Sequence, residues 1–238
     1  MPARARRSVL LAAHGLALTL IIAGCTSAPS VPPTTTAATS AARALTQAEL
    51  LTASANAMKA VTSAHFTLTV AGKLPDLQVQ GAEGDLTSAG NAKGTARIIQ
   101  FGQLVQVEFV IVGKDLYFEG PTGGFTKIPA AMAGEIYDPT AILSPEKGVA
   151  KVLGSVTKPA TPVVAGSSYT VTGTVPKAAA APLVPGIASD VAGTFTIDKI
   201  SFRSTEVLLR LTGSDGKPAT VDLALRDFNK AVTVSAPA

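Results

Sequence analysis

Tryptophan is absent from this 238-residue chain, cysteine occurs once, histidine twice, and charged residues make up only 15% of it. Each scarcity removes a class of function. With Cys25 as the only thiol no internal disulfide can form, and His14 lies in an apolar leader, so His65 is the single imidazole downstream. A Cys/His zinc site or a Cys/His nucleophile needs more groups than that. Basic residues outnumber acidic ones, 20 to 16, yet Arg4, Arg6 and Arg7 precede Cys25 and no acid does. A product beginning at Cys25 therefore has 17 basic and 16 acidic side chains, a net +1 that is no nucleic-acid footprint. The 47% apolar residues can build a core, but an Ala- and Gly-rich one.

Chemistry-bearing motifs are equally sparse. His65 alternates with Thr67 and Thr69 on the polar face of a predicted strand, where a solvated or hydrogen-bonded histidine is the plain reading. No Gly-x-Ser-x-Gly occurs, and Ser167-Ser168 precedes a strand without a strand-to-helix elbow. Gly120, Gly123 and Gly124 lack the Gly-Lys-Ser/Thr that holds a phosphate and read as a hairpin loop. Glu83 and Asp85 share one side of a predicted strand as solvated charges, without calcium-loop spacing. The reading is a non-enzyme with no catalytic residues, no metal and no cofactor.

What is present starts at the N-terminus. Residues 2–7 form a basic region, and Ser8 to Ile22 an apolar stretch of 15 residues. That is short for the about 20 residues of a transmembrane helix and normal for a signal peptide. Ile22-Ala-Gly-Cys25 then reads as a lipobox: small residues beside the scissile bond and a thiol for diacylglyceryl transfer. The expectation is a lipoprotein signal peptide over 1–24, an exported product lipidated on Cys25, and attachment to the cell membrane facing the envelope. Residues 26–45, rich in Thr, Ser, Ala and Pro, have too little apolar bulk to pack. They predict a disordered tether reaching about 25 Å.

A single domain is expected over 46–238. Thr46 and Glu49 form a capping-box pattern, and Leu51, Ala55, Met58 and Val61 fall at helical spacing, predicting a helix over about 47–62. The period then becomes two. Phe66, Leu68 and Val70 alternate with His65, Thr67 and Thr69, and Val105, Val107, Phe109 and Ile111 with Gln106 and Glu108. Phe195 and Ile197, then Val207, Leu209 and Leu211, then Val221, Leu223 and Leu225 repeat the pattern, with turn residues between the runs. Asp138-Pro139 predicts a short helix through Leu143, Pro145 to Leu153 a second, and Pro176 to Leu183 a third. The fold class is α+β: one curved antiparallel sheet with helices packed on its concave face.

Ser63-Ala-His-Phe-Thr-Leu-Thr-Val70, Gly84-Asp-Leu-Thr87, Gly90-Asn-Ala-Lys93, Asp115-Leu-Tyr117, Ile136-Tyr-Asp-Pro139, Leu143-Ser-Pro-Glu-Lys-Gly148 and Val232-Thr-Val-Ser-Ala-Pro237 follow one another in this order. With the lipobox, this series resembles the LppX/LprA/LprF/LprG family of mycobacterial lipoproteins over most of residues 46–238. The resemblance implies a half-barrel closing over an apolar cavity, and binding of acylated envelope lipids or glycolipids: triacylglycerols, phosphatidylinositol mannosides and their glycan-extended forms, or dimycocerosates. For a carrier tethered in this way, a donor membrane or a membrane lipid transporter is a further expected partner. The chain departs from its relatives in having no Trp, with Phe195 and Phe228 standing in the later strands.

A lipid carrier makes physical sense of these residues. Each methylene exposed to water costs about 0.8 kcal/mol, so a chain of about fifteen costs about 12 kcal/mol and crosses an aqueous envelope only inside a protein. Phe66, Leu68, Val70, Val107, Phe109, Ile111, Phe195, Ile197, Val207, Leu209 and Leu211 on the sheet, opposed by Ile142, Leu143, Val152 and Leu153, are the expected cavity wall. Ala92, Gly94 and Ala96 alternate toward the side of Ile98 and leave volume unfilled. A void of about 1,000 Å³ would cost about 24 kcal/mol if empty, more than a domain's usual stability, so it must be occupied. The alternative is an envelope scaffold or host-interaction lipoprotein with a packed core.

Overall fold

The computed structural model describes residues 45–74, 77–120, 123–130 and 137–237. The expected signal peptide, Cys25 and the tether through residue 44 lie outside them. Thr46 caps the first helix, α1 (Gln47–Lys59): its hydroxyl accepts the Glu49 amide at 3.3 Å while the Glu49 carboxylate accepts the Thr46 amide at 2.9 Å. Two amides left free at the helix start are thus satisfied reciprocally. The helix buries Leu50, Leu51, Ala55 and Met58, the stripe that its spacing dictates.

Eleven strands follow: β1 (Ser63–Ala71), β2 (Val79–Thr87), β3 (Ala92–Gln100), β4 (Gln103–Val112), β5 (Asp115–Glu119), β6 (Phe125–Pro129), β7 (Val163–Ala165), β8 (Ser168–Val175), β9 (Val191–Asp198), β10 (Ser204–Thr212) and β11 (Pro218–Arg226). All belong to one open antiparallel sheet in the order β6-β5-β4-β3-β2-β1-β11-β10-β9-β8-β7. Two meanders therefore meet at a central pairing of β1 with β11, and the crossing between them carries helical segments. These are a 3₁₀ helix (Pro139–Leu143) and α2 (Val149–Ser155), with α3 (Lys177–Ala180) between β8 and β9. With a twist of about 20–25° between neighbours, so many strands must coil.

The first of the two helices expected in the crossing starts as predicted, with the Asp138 carboxylate accepting the Thr140 amide at 2.9 Å. The second begins later than the predicted Pro145. The Gly148 amide donates to the Ser144 carbonyl at 2.7 Å, closing a turn that consumes Pro145–Lys147 and leaves Gly148 as the N-cap of α2.

Register builds the core. Phe66 faces Leu225, Leu68 faces Leu223 and Val70 faces Val221; on the next strand Val207 faces Leu223 and Leu209 faces Val221. These rows, with Phe195 and Ile197 on β9, are all buried together with Leu50, Met58, Val149, Val152 and Leu153 of the helices. On the other side of β1 two glycines pair. Gly84 and Gly94 sit opposite each other in register, and a Cβ on Gly84 would lie 2.7 Å from the Gly94 Cα and strike the Lys93 carbonyl. Only a residue without a side chain allows the two backbones this approach.

Gly94→Ala is accordingly expected to lower stability by about 2–3 kcal/mol in chemical denaturation, the range of severe overpacking. A loss below about 0.5 kcal/mol would show that the close approach is not required.

Candidate functional site

Alternation along β3 to β6 sends one set of side chains to the inner face: Ala96 and Ile98 on β3, Val107, Phe109 and Ile111 on β4, Leu116 and Phe118 on β5, Ile128 on β6. Register sets them side by side, Ala96 against Val107, Phe109 against Phe118, Leu116 against both Ile111 and Ile128. With Val79 and Ala82 of β2, and Tyr137 and Pro139 from the crossing, they line a cleft of about 280 Å³. Among the described residues, Gln100 and Tyr137 bring the only side-chain polar atoms in this wall. Gln100, the last residue of β3, is exposed, whereas Phe109, Ile111 and Leu116 are buried, so the cleft opens at the Gln100 end of the strands.

Tyr137 is held by the turn that follows it. The Asp138 carboxylate accepts from both the Thr140 amide and, at 2.6 Å, the Thr140 hydroxyl, which fixes the chain direction immediately after the ring. Burial, reinforced by the negative charge of Asp138, pushes the Tyr137 phenol well above its ordinary pKa. The wall is therefore uncharged throughout the physiological range. The same ring borders a second, much smaller void of about 10 Å³ among Leu68, Leu183, Val184, Val207, Leu209, Val221 and Leu223.

Of the residues expected to line a cavity, Ala96, Ile98, Val107, Phe109 and Ile111 border the cleft, and Leu68, Val207 and Leu209 the small void. Phe66, Val70, Ala92, Ile142, Leu143, Val152, Leu153, Phe195 and Ile197 border neither; they are buried in the packed core, and Leu211 lies partly buried against it. Side chains of α1, α2 and the 3₁₀ helix fill the core that the β1 and β8–β11 rows share, so the helical residues expected as a roof are packed core. Val79, Ala82, Leu116, Phe118, Ile128, Tyr137 and Pro139 escaped the sequence reading. Leu116 and Phe118 do alternate with Tyr117, and Tyr137 and Pro139 stand in a quoted motif, but only the β4–β5–β6 pairing shows that they share a space.

Around β1 and β2 the outer face is polar. The His65 Nδ1 lies 2.8 Å from the Asp85 carboxylate on the neighbouring strand, so both groups predicted to be solvated or structural pair with each other. A groove of about 360 Å³ among Thr67, Glu83, Thr95, Arg97 and Gln106 has polar walls suited to water. Among the described residues no cluster of three or more His, Cys, Asp or Glu could hold a metal, and no helix is long and apolar enough to cross a membrane.

The described residues thus form an open antiparallel sheet with an uncharged cleft under one half. The comparisons make this specific. The family described as LppX_LprAFG lipoprotein matches residues 46–234, and the chain belongs to that family. The lipoarabinomannan carrier protein LprG of Mycolicibacterium smegmatis is 34% identical over 227 residues, covering 92% of this chain and 91% of its own. The putative lipoprotein LprA of Mycobacterium tuberculosis is 29% identical over 243 residues, 97% of each. Two crystal structures share the fold: LprF from Mycobacterium bovis, with a TM-score of 0.69 at 24% identity over 81% of this chain and 97% of that one, and Mycobacterium tuberculosis LppX, 0.60 at 20% over 79% and 98%.

Asp222 provides an electrostatic check on the outer face. One of its carboxylate oxygens is buried without a partner, and burial, then the Glu206 charge, raises its pKa above the ordinary value. Native stability is therefore full below the unfolded pKa of about 3.9 and falls as pH rises through the folded value. Asp222→Asn should raise the melting temperature at pH 7 and leave it unchanged at about pH 3; equal shifts at both would contradict this assignment.

Proposed function

We propose that this protein is a membrane-anchored envelope lipoprotein that takes the acyl chains of a lipid or glycolipid into the cleft and carries them across the cell envelope. The carrying observation is the uncharged, almost wholly apolar wall formed by β2 to β6 with Tyr137 and Pro139. Acyl chains are the natural occupant of such a wall, since each methylene removed from water contributes about 0.8 kcal/mol. The name of the LprG relatives, lipoarabinomannan carrier protein, supports a ligand of acylated glycolipid type, such as a phosphatidylinositol mannoside; triacylglycerol shares with it the acyl chains alone. The anchor is the diacylglyceryl-modified Cys25, and the segment to residue 45 the tether that lets the cleft reach a donor membrane or a membrane transporter. Among the described residues no group along the cleft supplies a nucleophile or a general base at neutral pH, and the activity proposed is non-catalytic.

Size refines the reading. The cleft lies just under the roughly 300–1,000 Å³ usual for small-molecule sites, so in the present conformation it seats part of one chain. Tyr137 borders both the cleft and the small void beneath Leu183 and Val184. Rotation of this one ring would join the two and extend the space toward β10 and β11.

Protein purified from an actinobacterial host should release stoichiometric acyl lipid on organic extraction and mass spectrometry. Bare protein of full stability would instead leave an acyl-tethered scaffold. Ala96→Trp, which fills the cleft between Ala82 and Val107, is expected to lower lipid uptake about tenfold, a loss of about 1.4 kcal/mol, with the circular dichroism spectrum unchanged. Uptake equal to the unmodified protein would remove this strand from the binding surface. Tyr137→Ala should shift the co-purified lipids toward longer chains; an unchanged distribution would show that the two spaces do not communicate.

A further inference from the structure

The β3–β4 hairpin ends in a residue that local conformation does not favour. Gln100 pairs with Gln103, so Phe101 and Gly102 form a two-residue loop, with φ of 50° and 75°. A two-residue hairpin loop with positive φ at both central positions is of type I′, where the first position favours Asn, Asp or Gly, and an aromatic residue is an outlier. Phe101 is nevertheless there, and it is 98% exposed. Below it on the outer face the cross-strand pair Ile99 and Leu104 is 41% and 61% exposed. From Ile98 through Val107 no side chain ionises; the flanking charges are Arg97 and Glu108. The same tip adjoins the opening of the cleft, for Gln100 immediately precedes Phe101 and lines the cleft.

We propose that this hairpin tip is a bilayer-docking wedge. Phe101, with Ile99 and Leu104, enters the interfacial layer of a membrane and sets the mouth of the cleft against the headgroups, so that acyl chains pass without crossing bulk water. Charge selects the occupant. A tip that enters lipid must leave no charge in it, and the ten residues around this turn meet that demand with glutamines as their polar groups. The other strongly exposed apolar turn residue, Ile200 at 89%, lies at the opposite end of the strands between Asp198, Lys199 and Arg203, and lacks both the neutral surroundings and the adjoining cleft. The inference rests on the carrier reading for its purpose and on the tip itself for its geometry.

The test uses the full chain, whose lack of Trp makes Phe101→Trp a single reporter. On mixing with phosphatidylcholine–phosphatidylglycerol vesicles, emission from the new indole should shift to the blue and be quenched by brominated acyl chains, equally at low and high salt. Ile200→Trp, carried on the same anchor, should show neither change. Phe101→Asn, which suits a type I′ turn, should melt no lower than the unmodified protein and load lipid normally, yet pass labelled lipid between vesicles about fivefold more slowly or worse. Emission unchanged by vesicles, a shift that follows protein concentration without vesicles and so reports self-association or a protein partner, or full transfer by Phe101→Asn would each overturn the proposal. Vesicle-dependent quenching in a chain that loads no lipid would support docking while overturning the carrier reading.

Discussion

Apolar surface that a chain cannot cover with its own side chains is the constraint around which this structure is arranged. Burial contributes about 25 cal/mol per Å², and the two halves of the sheet meet that demand differently. Beneath β1 and β8 to β11 the inner rows share a closed core with the helices and the segment at Leu183–Val184. Beneath β2 to β6 the crossing contributes, among the described residues, Tyr137 and Pro139, and a cleft lies against them. The wall that borders it is uncharged, so water gains little there and hydrocarbon gains much. Left empty and sealed, a space of this volume would cost about 7 kcal/mol at about 24 cal/mol per Å³, within the range of a whole domain's stability. An occupant that comes and goes is a way to keep such a space without a permanent filling.

The geometry of the open half depends on small residues. Ala82 and Ala96, opposite each other in register, present only methyl groups to the cleft, and the Gly84–Gly94 approach lets β2 and β3 fold closely on each other. Polar chemistry is displaced to the outer face, where His65 meets Asp85 and Arg97 flanks a polar groove. The division follows directly from the two-residue period of a strand: the same segments that wet one face leave the other greasy.

That period is why so much was legible beforehand. Thr46 with Glu49 announced α1, Asp138-Pro139 the 3₁₀ helix, and the alternating runs gave the strands, their inner faces and an antiparallel α+β fold. The hollow part was not legible as such. Phe66 and Val107 carry the same signal in sequence, an apolar residue between polar neighbours, yet one is sealed in the core and the other borders the cleft. What separates them is the long-range pairing of β1 with β11 and the placement of helices around the resulting rows, which periodicity does not encode. Tyr137 and Leu116 were missed for the same reason, since their membership depends on strand order and not on local pattern.

The carrier role proposed above requires hydrocarbon in the space against Ala96, Val107 and Phe118, which line the cleft. A crystal structure of the protein purified from an actinobacterial host tests this most directly. The account predicts continuous tubular density running from the Gln100 end past Phe118 toward the Tyr137 ring. Side chains closing that space, or discrete water peaks along it, would contradict the account.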